Sequence, residues 1–163
     1  SAFGARVDDL LKAPHQQILE CFPDVQEKRT LVVMTVGGND MFEAARRIRD
    51  GAKAEDLDEL LQSTYQDLSD ALHWFDDNED RFPNGVFVVF SNVYEFTDAT
   101  ADMGACPSAE IFGFAGQVPE VRPAYVWINE QYTQLAVETQ RDVLNTSSFK
   151  IFDSVLHRHL PSS

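Results

Sequence analysis

The chain has 163 residues, with 27 Asp and Glu against 13 Lys and Arg, which gives a formal net charge of -14. Such a surface repels phosphate backbones, and no basic stripe with interleaved aromatic side chains offsets it, so nucleic acid is not an expected partner. Hydrophobic residues make up 44% of the chain, and no apolar run approaches the roughly 18 residues that a membrane-spanning helix needs. The composition therefore predicts a single globular domain over residues 1–163 with no transmembrane segment.

The first residues, Ser1 to Gly4, have no basic region followed by an apolar core, so they do not predict a signal peptide. The chain starts with a residue other than Met. We therefore expect it to be part of a longer protein.

Two short helical pieces, or one kinked helix, are predicted between residues 7 and 22. Apolar residues recur there at helical spacing, but Pro14 interrupts them and Pro23 closes the segment. Cys21 falls on the apolar side of this helix and is expected to be a buried thiol. Cys106 lies in a predicted loop, where it could pair with a cysteine outside these residues.

An apolar run over residues 31–36 predicts a strand buried on both faces, as in a parallel sheet covered by helices. The two glycines that follow let the backbone turn sharply and approach closely whatever lies above the end of the strand. Asp40 and Glu43 form an Asp-x-x-Glu capping pattern, which predicts a helix from Met41 to Asp50.

Asn39 is thereby placed between the carboxyl end of a strand and the start of a helix, where open α/β sheets bind their ligands. A neutral side-chain amide donates hydrogen bonds without carrying charge, which suits an oxyanion hole. A Gly-Gly-Asn-Asp turn without a function of its own is equally compatible with this pattern.

The rest of the chain continues the alternation of helices and strands. Helical spacing predicts a long amphipathic helix over 57–75, and an apolar run predicts a strand over 86–90. Segment 92–122 is polar and long for a loop, so it is either a binding loop or a surface loop pinned by an apolar island. A helix over 125–143 and a third strand over 149–152 follow. Helices between successive apolar strands indicate right-handed parallel crossovers, hence a three-layer α/β/α sandwich.

The first strand and Gly37-Gly38-Asn39-Asp40 resemble the Gly-x-Asn-Asp block of the SGNH, or GDSL, hydrolases, which are esterases and lipases of flavodoxin-like fold. The opening segment, residues 1–11, is similar to the block that precedes it in that family. The strand over 86–90, with Asn92, Tyr94 and Asp98, is similar to the segment that follows.

This resemblance implies a serine esterase or lipase that hydrolyses carboxylic esters through an acyl-enzyme, without a cofactor or a metal. In the family, three donors hold the oxyanion: the backbone N–H of the nucleophile, a glycine N–H and an asparagine side-chain amide. Carried over by position, the last two are Gly4 and Asn39. The expected partner is a small-molecule or lipid ester, and the expected location is secreted or periplasmic.

The same resemblance predicts where the remaining catalytic groups lie. The family's Gly-Asp-Ser-Leu block carries the serine nucleophile and is expected upstream of Gly4, and its Asp-x-x-His block is expected downstream of the last strand. The chain would then be the central part of such a domain and would meet a companion segment of the same precursor.

Several residues of this chain resemble parts of the expected catalytic blocks. Asp70 and His73 form a literal Asp-x-x-His, but they fall inside the long helix and are predicted to be solvated surface. Asp153 and His157 lie nearer the expected place, but their spacing is one residue too long. The sequence therefore leaves open which histidine is the catalytic base. The acidic run 76–80 is expected to be solvated rather than a calcium site.

Two interpretations from other classes remain open. The chain could be a non-catalytic α/β module, related to the SGNH hydrolases, that binds ligands or partners. It could also be an unrelated flavodoxin-like domain in which residues 37–40 contact phosphate, although Met41 and Phe42 offer few donors for that purpose.

Overall fold

The computed structural model describes residues 4–91, 93 and 116–139. Its helices and strands are, in chain order, α1 (Gln17–Cys21), β1 (Thr30–Met34), α2 (Gly38–Arg49), α3 (Asp58–Asp77), β2 (Val86–Phe90) and α4 (Arg122–Thr139). Short 3-10 turns lie at Asp8–Leu10, Ala54–Leu57, Glu79–Arg81 and Pro119–Val121. No helix within these ranges is long and apolar enough to cross a membrane.

The sheet of the described part has two parallel strands. Thr30 of β1 lies opposite Val86 of β2, and Met34 lies opposite Phe90. Because α2 and α3 form the connection between them, the predicted parallel crossover is confirmed. A mixed helix and strand architecture with a parallel sheet is therefore shown.

Only one face of β1 is covered by the described residues. Val32 and Met34 belong to a core cluster that includes buried residues of α2, α3 and α4. On the other face, Leu31 is 66% exposed and Val33 is 63% exposed. The predicted burial of this strand on both faces is thus not found among these residues. The predicted third strand at 149–152 lies outside them, and the three-layer sandwich stays a prediction.

The long helix α3 organises the core. Its buried side chains follow the predicted helical spacing and are Leu60, Leu61, Thr64, Leu68, Ala71, Leu72 and Phe75. The helix packs against α4 and against the N-terminal 3-10 turn. Near its end, an aromatic cluster of Phe22, Trp74, Phe75 and Phe82 has rings in edge-to-face or tilted contact, a geometry that aromatic pairs favour.

The N-terminal segment forms two short helical pieces, the 3-10 turn and α1, as one of the two sequence interpretations predicted. The prediction that Cys21 is a buried thiol is wrong, because this residue ends α1 and is exposed. The helix is only one turn long, so its periodicity was a weak guide to which side faces the core.

The start of α2 also differs from the prediction. The helix begins at Gly38 rather than at Met41, and its N-cap is Gly37. Asp40 therefore lies inside the first turn, where it is buried and does not cap the helix. Glu43 binds Arg46 and Arg47 instead of returning to an N-cap amide, so the Asp-x-x-Glu pattern is not a capping box here.

Gly37 lies where the turn after β1 packs against α4. Its φ of 101° lies in the left-handed region that glycine adopts without strain. A Cβ atom at this position would overlap the Tyr132 hydroxyl and come within 2.9 Å of Val93 Cγ2. The turn thus packs on α4 through a contact that only a residue without a side chain permits.

We predict that Gly37→Ala destabilises the protein more than Gly51→Ala does. Gly51 has nearly the same φ of 102°, but no other atom lies within 4 Å of the place that a Cβ would take there. The control variant should cost about 1–2 kcal/mol for the left-handed backbone, and Gly37→Ala should cost roughly 1–3 kcal/mol more for the overlap. Urea unfolding measures both free energies, and equal losses would contradict the close packing on Tyr132.

Candidate functional site

The candidate site lies where the first turn of α2 meets the segment that precedes the N-terminal 3-10 turn. Asn39 is exposed there, and its Nδ2 donates a hydrogen bond to the backbone carbonyl oxygen of Ala5 at 2.6 Å. Ala5 directly follows Gly4, which is exposed and has a φ of 79°. The structure thus brings Asn39 to the chain neighbour of the glycine that was predicted to work with it.

A second hydrogen bond joins the same two segments. Asp40 Oδ2 accepts the backbone N–H of Val7 at 3.1 Å, across 33 positions of sequence. Both groups are buried, because Asp40 is 5% exposed and Val7 is fully covered. Consecutive residues of α2 therefore hold alternate residues of the N-terminal segment.

The environment of Asp40 opposes its ionisation. Burial raises the pKa of this carboxyl to about 6, although the Val7 N–H and the positive charge of Arg6 act in the other direction. Arg6 Nε lies 4.0 Å from Asp40 Oδ1, and the negative charge of Asp8 raises the pKa further. Asp40 is thus a buried acid that interacts with the backbone N–H groups of Val7 and of Asp40 itself and has its nearest cation, Arg6, at 4.0 Å.

Glu43 lies one turn further along α2 and behaves differently. Burial disfavours its charge, but hydrogen bonds from Arg47 and Arg46 outweigh that effect and hold the pKa of Glu43 below its usual value. Arg6 also lies 4.0 Å from this carboxylate. Arg6 is therefore shared between two acids and does not neutralise Asp40 alone.

Tyr132 closes the site from the side of α4. Its ring is fully buried, and its hydroxyl has no hydrogen-bond partner in the described part of the chain. Burial raises the pKa of this phenol, and the negative charge of Asp40 adds to the rise. The hydroxyl therefore stays protonated beneath the turn.

A cavity of about 550 Å³ adjoins the site and runs along β1 on the side away from β2. Leu10, Ile18 and Phe22 contribute apolar side chains to its lining. Asn39 and Ala5 line it as well. The cavity thus connects a strand edge that is unpaired within the described ranges to Asn39, one of the two candidate oxyanion donors.

Other residues singled out in the sequence lie elsewhere. Asp70 is exposed and accepts a hydrogen bond from Gln66, and His73 is exposed with Nδ1 at 2.8 Å from the carbonyl oxygen of Ser69. The prediction that this Asp-x-x-His is solvated surface is confirmed. Further residues fall outside the described ranges and keep their predicted roles as predictions: Asn92, Tyr94, Asp98, Cys106, Asp153 and His157.

Sequence reasoning missed the structural roles of Asp40 and Tyr132. The sequence did contain a signal for the burial of Asp40. Met41, Ala44 and Ala45 form a small apolar face that extends the helix pattern back toward Asp40. Tyr132 falls within the last helix that the sequence predicted, over 125–143. That prediction did not indicate that its hydroxyl would lie against Gly37.

Comparison of the chain with protein-family models, with curated proteins and with solved structures finds no match. Within the described ranges, no group of three or more His, Cys, Asp or Glu side chains is placed to hold a metal ion. The chemistry of the site therefore rests on its geometry and on the sequence resemblance.

Asp40 should make the stability of the protein fall as pH rises. Its pKa is about 6 in the folded protein, compared with the ordinary value of 3.8 that applies to the unfolded chain. Between these two pH values the folded state therefore binds more protons than the unfolded state. The stabilisation by neutral Asp40 is fully present below the lower value and is lost as pH rises through the upper one.

We predict that Asp40→Asn removes this pH dependence while keeping an oxygen that accepts the Val7 N–H. From about pH 5 to about pH 7.5, the free energy of unfolding of the wild type should fall by roughly 1–1.5 kcal/mol more than that of the variant. Urea unfolding at both pH values measures the difference. Asp56→Asn is the matched control, because Asp56 accepts the N–H of Lys53 at an exposed position. A pH dependence shared by the wild type and Asp40→Asn would contradict the burial of a titrating acid.

Proposed function

We propose that this chain is the oxyanion-binding part of a serine ester hydrolase. The observation that carries the proposal is the position of Asn39, which follows β1 and is hydrogen-bonded to the residue next to Gly4. The two donors that the resemblance assigns to one oxyanion hole are 35 positions apart in sequence, and Asn39 Nδ2 lies 2.6 Å from the carbonyl oxygen of the residue that follows Gly4. An oxyanion hole requires its donors to lie close together.

The amide of Asn39 has the capacity for this role. A side-chain amide nitrogen carries two N–H groups, and the hydrogen bond to Ala5 uses one of them. The residue is exposed, so the second N–H is available to a bound substrate. In the proposed reaction, it donates to the carbonyl oxygen as negative charge develops there, together with the N–H of Gly4.

The proposed reaction follows the acyl-enzyme route. A serine hydroxyl attacks the ester carbonyl carbon while a histidine takes its proton, and the alcohol leaves after the histidine returns that proton to it. Water, activated by the same histidine, then releases the acid and regenerates the serine. In this proposal both the serine and the histidine come from outside the described residues.

One edge of β1 pairs with no strand among the described residues, and this edge suggests how the serine is delivered. An apolar strand added in parallel beside β1 would occupy the adjoining cavity, and it would end at the same edge of the sheet as β1 does. A residue that follows such a strand would stand next to Asn39. A segment of the same precursor that carries the serine at the end of an apolar strand would therefore complete the site.

A second candidate function is a non-catalytic binding module of the same fold. It is favoured by the hydrogen bond between Asn39 and Ala5. This bond is sufficient to give the Asn39 amide a structural role. In this case Asn39 ties two segments together and stabilises no oxyanion. The two candidates differ in what the loss of the amide does to turnover.

We predict that Asn39→Ala lowers the turnover of a short-chain p-nitrophenyl ester by the complete protein roughly a hundred- to thousandfold, because one oxyanion donor is lost. The cost in stability should be only about 0.5–1.5 kcal/mol, since the hydrogen bond to Ala5 is exposed. Ester hydrolysis and urea unfolding measure the two effects separately.

Asn84→Ala is the matched control for that experiment. Asn84 is also exposed, and its Nδ2 donates to a backbone carbonyl oxygen, that of Glu27, at 2.9 Å before the start of β2. This variant should keep the wild-type turnover. If Asn39→Ala keeps it as well, Asn39 holds no oxyanion and the binding module is the better account.

A further inference from the structure

The segment that carries Gly4 is attached to α2 at two points. Asn39 holds the carbonyl oxygen of Ala5, and Asp40 holds the N–H of Val7. A single hydrogen bond fixes a distance and leaves rotation about that bond free. Two bonds to alternate residues of the segment also fix its direction.

The two attachments differ in environment. The bond from Asn39 is exposed to solvent, whereas the bond to Asp40 is buried beside Met41 and Val7, which are both fully covered. Water competes for the first bond and has little access to the second. The buried bond is therefore the one that sets the position of the segment.

The local contacts of the segment do not replace this bond. The N–H of Arg6 is accepted by Asp9, which lies in the same segment and moves with it. Arg6 reaches Asp40 and Glu43 only at 4.0 Å, and its side chain is 36% exposed. Among the contacts described here, Asp40 provides the one buried hydrogen bond from α2 to this segment.

We propose that Asp40 is a positioning residue, which holds the backbone at Val7 so that Gly4 and the Asn39 amide stay aligned on one oxyanion. The proposal rests on the proposed function, because it names what aligns the two donors. Asp40 itself touches no substrate. Its effect on the reaction passes through the position of the backbone that it binds.

The test compares Asp40→Ala, which removes the acceptor, with Asp40→Asn, which keeps one. In the complete protein, Asp40→Ala should lower kcat roughly ten- to a hundredfold by misaligning the donors, with KM changed by less than about twofold. Asp40→Asn should recover most of the lost kcat. Asp56→Asn, which alters an exposed aspartate that accepts the N–H of Lys53, should leave both constants unchanged.

Amide hydrogen exchange gives a readout that does not depend on activity. In Asp40→Ala, the amide of Val7 should exchange at least about tenfold faster relative to the amides of α3, because its buried acceptor is gone. The side-chain NH₂ resonances of Asn39 should shift in the same variant. Faster exchange at Val7 with an unchanged kcat would overturn the positioning role and leave Asp40 a structural residue.

The wild type supplies the same test if Asp40→Ala fails to fold. The charged or titratable groups around the carboxyl of Asp40 are Arg6, Asp8, Glu43 and Tyr132. As this carboxyl titrates, the resonances of the Val7 amide and of the Asn39 NH₂ group should shift together with one apparent pKa near 6. Independent titration of these two signals would overturn the proposal. A wild type that hydrolyses no ester would refute the proposed function, while the resonances would still decide whether Asp40 aligns the two segments.

Discussion

The contact between Gly37 and Tyr132 is the constraint on which the rest of the site depends. The tyrosine hydroxyl occupies the space that a side chain at Gly37 would need, so the turn after β1 lies directly on α4. This contact fixes the start of α2, since Gly37 is its N-cap. The positions of Asn39 and Asp40 follow, because both belong to the first turn of that helix. A turn that ended one residue later would move both side chains about 100° around the helix axis.

Because only one of them is buried, Asn39 and Asp40 have different roles. Asn39 faces solvent and keeps an N–H for a ligand, whereas Asp40 faces inward and accepts a backbone N–H. A buried carboxyl with a raised pKa is destabilising at neutral pH compared with a neutral group of the same shape. Groups of this kind concentrate at functional sites, where alignment matters more than maximal stability. The unpaired hydroxyl of Tyr132 beside it, which finds no partner among the described residues, is consistent with that interpretation.

The sequence predicted those features that follow from local patterns. The apolar run of β2 and the helical stripe of α3 identified both elements, because burial of a whole face leaves a periodic signal over many residues. The start of α2 was predicted wrongly. The Asp-x-x-Glu pattern occurs in capping boxes, but it also occurs in a first helical turn whose acidic side chains bind other partners. The partner of Asp40 is Val7, 33 positions away, and no local pattern encodes a contact over that distance. The position of Asn39 at the end of a strand was predictable, but its bond to Ala5 was not.

We propose that this chain stabilises an oxyanion during ester hydrolysis. The most direct measurement is the rate at which a fluorophosphonate probe labels the complete protein, because phosphonylation of a serine builds negative charge on the phosphoryl oxygen that an oxyanion hole stabilises. We expect labelling of one serine outside the described residues, at a rate that falls roughly a hundredfold in Asn39→Ala and is unchanged in Asn84→Ala. Labelling no faster than that of the denatured protein, or a rate indifferent to Asn39, would contradict this proposal.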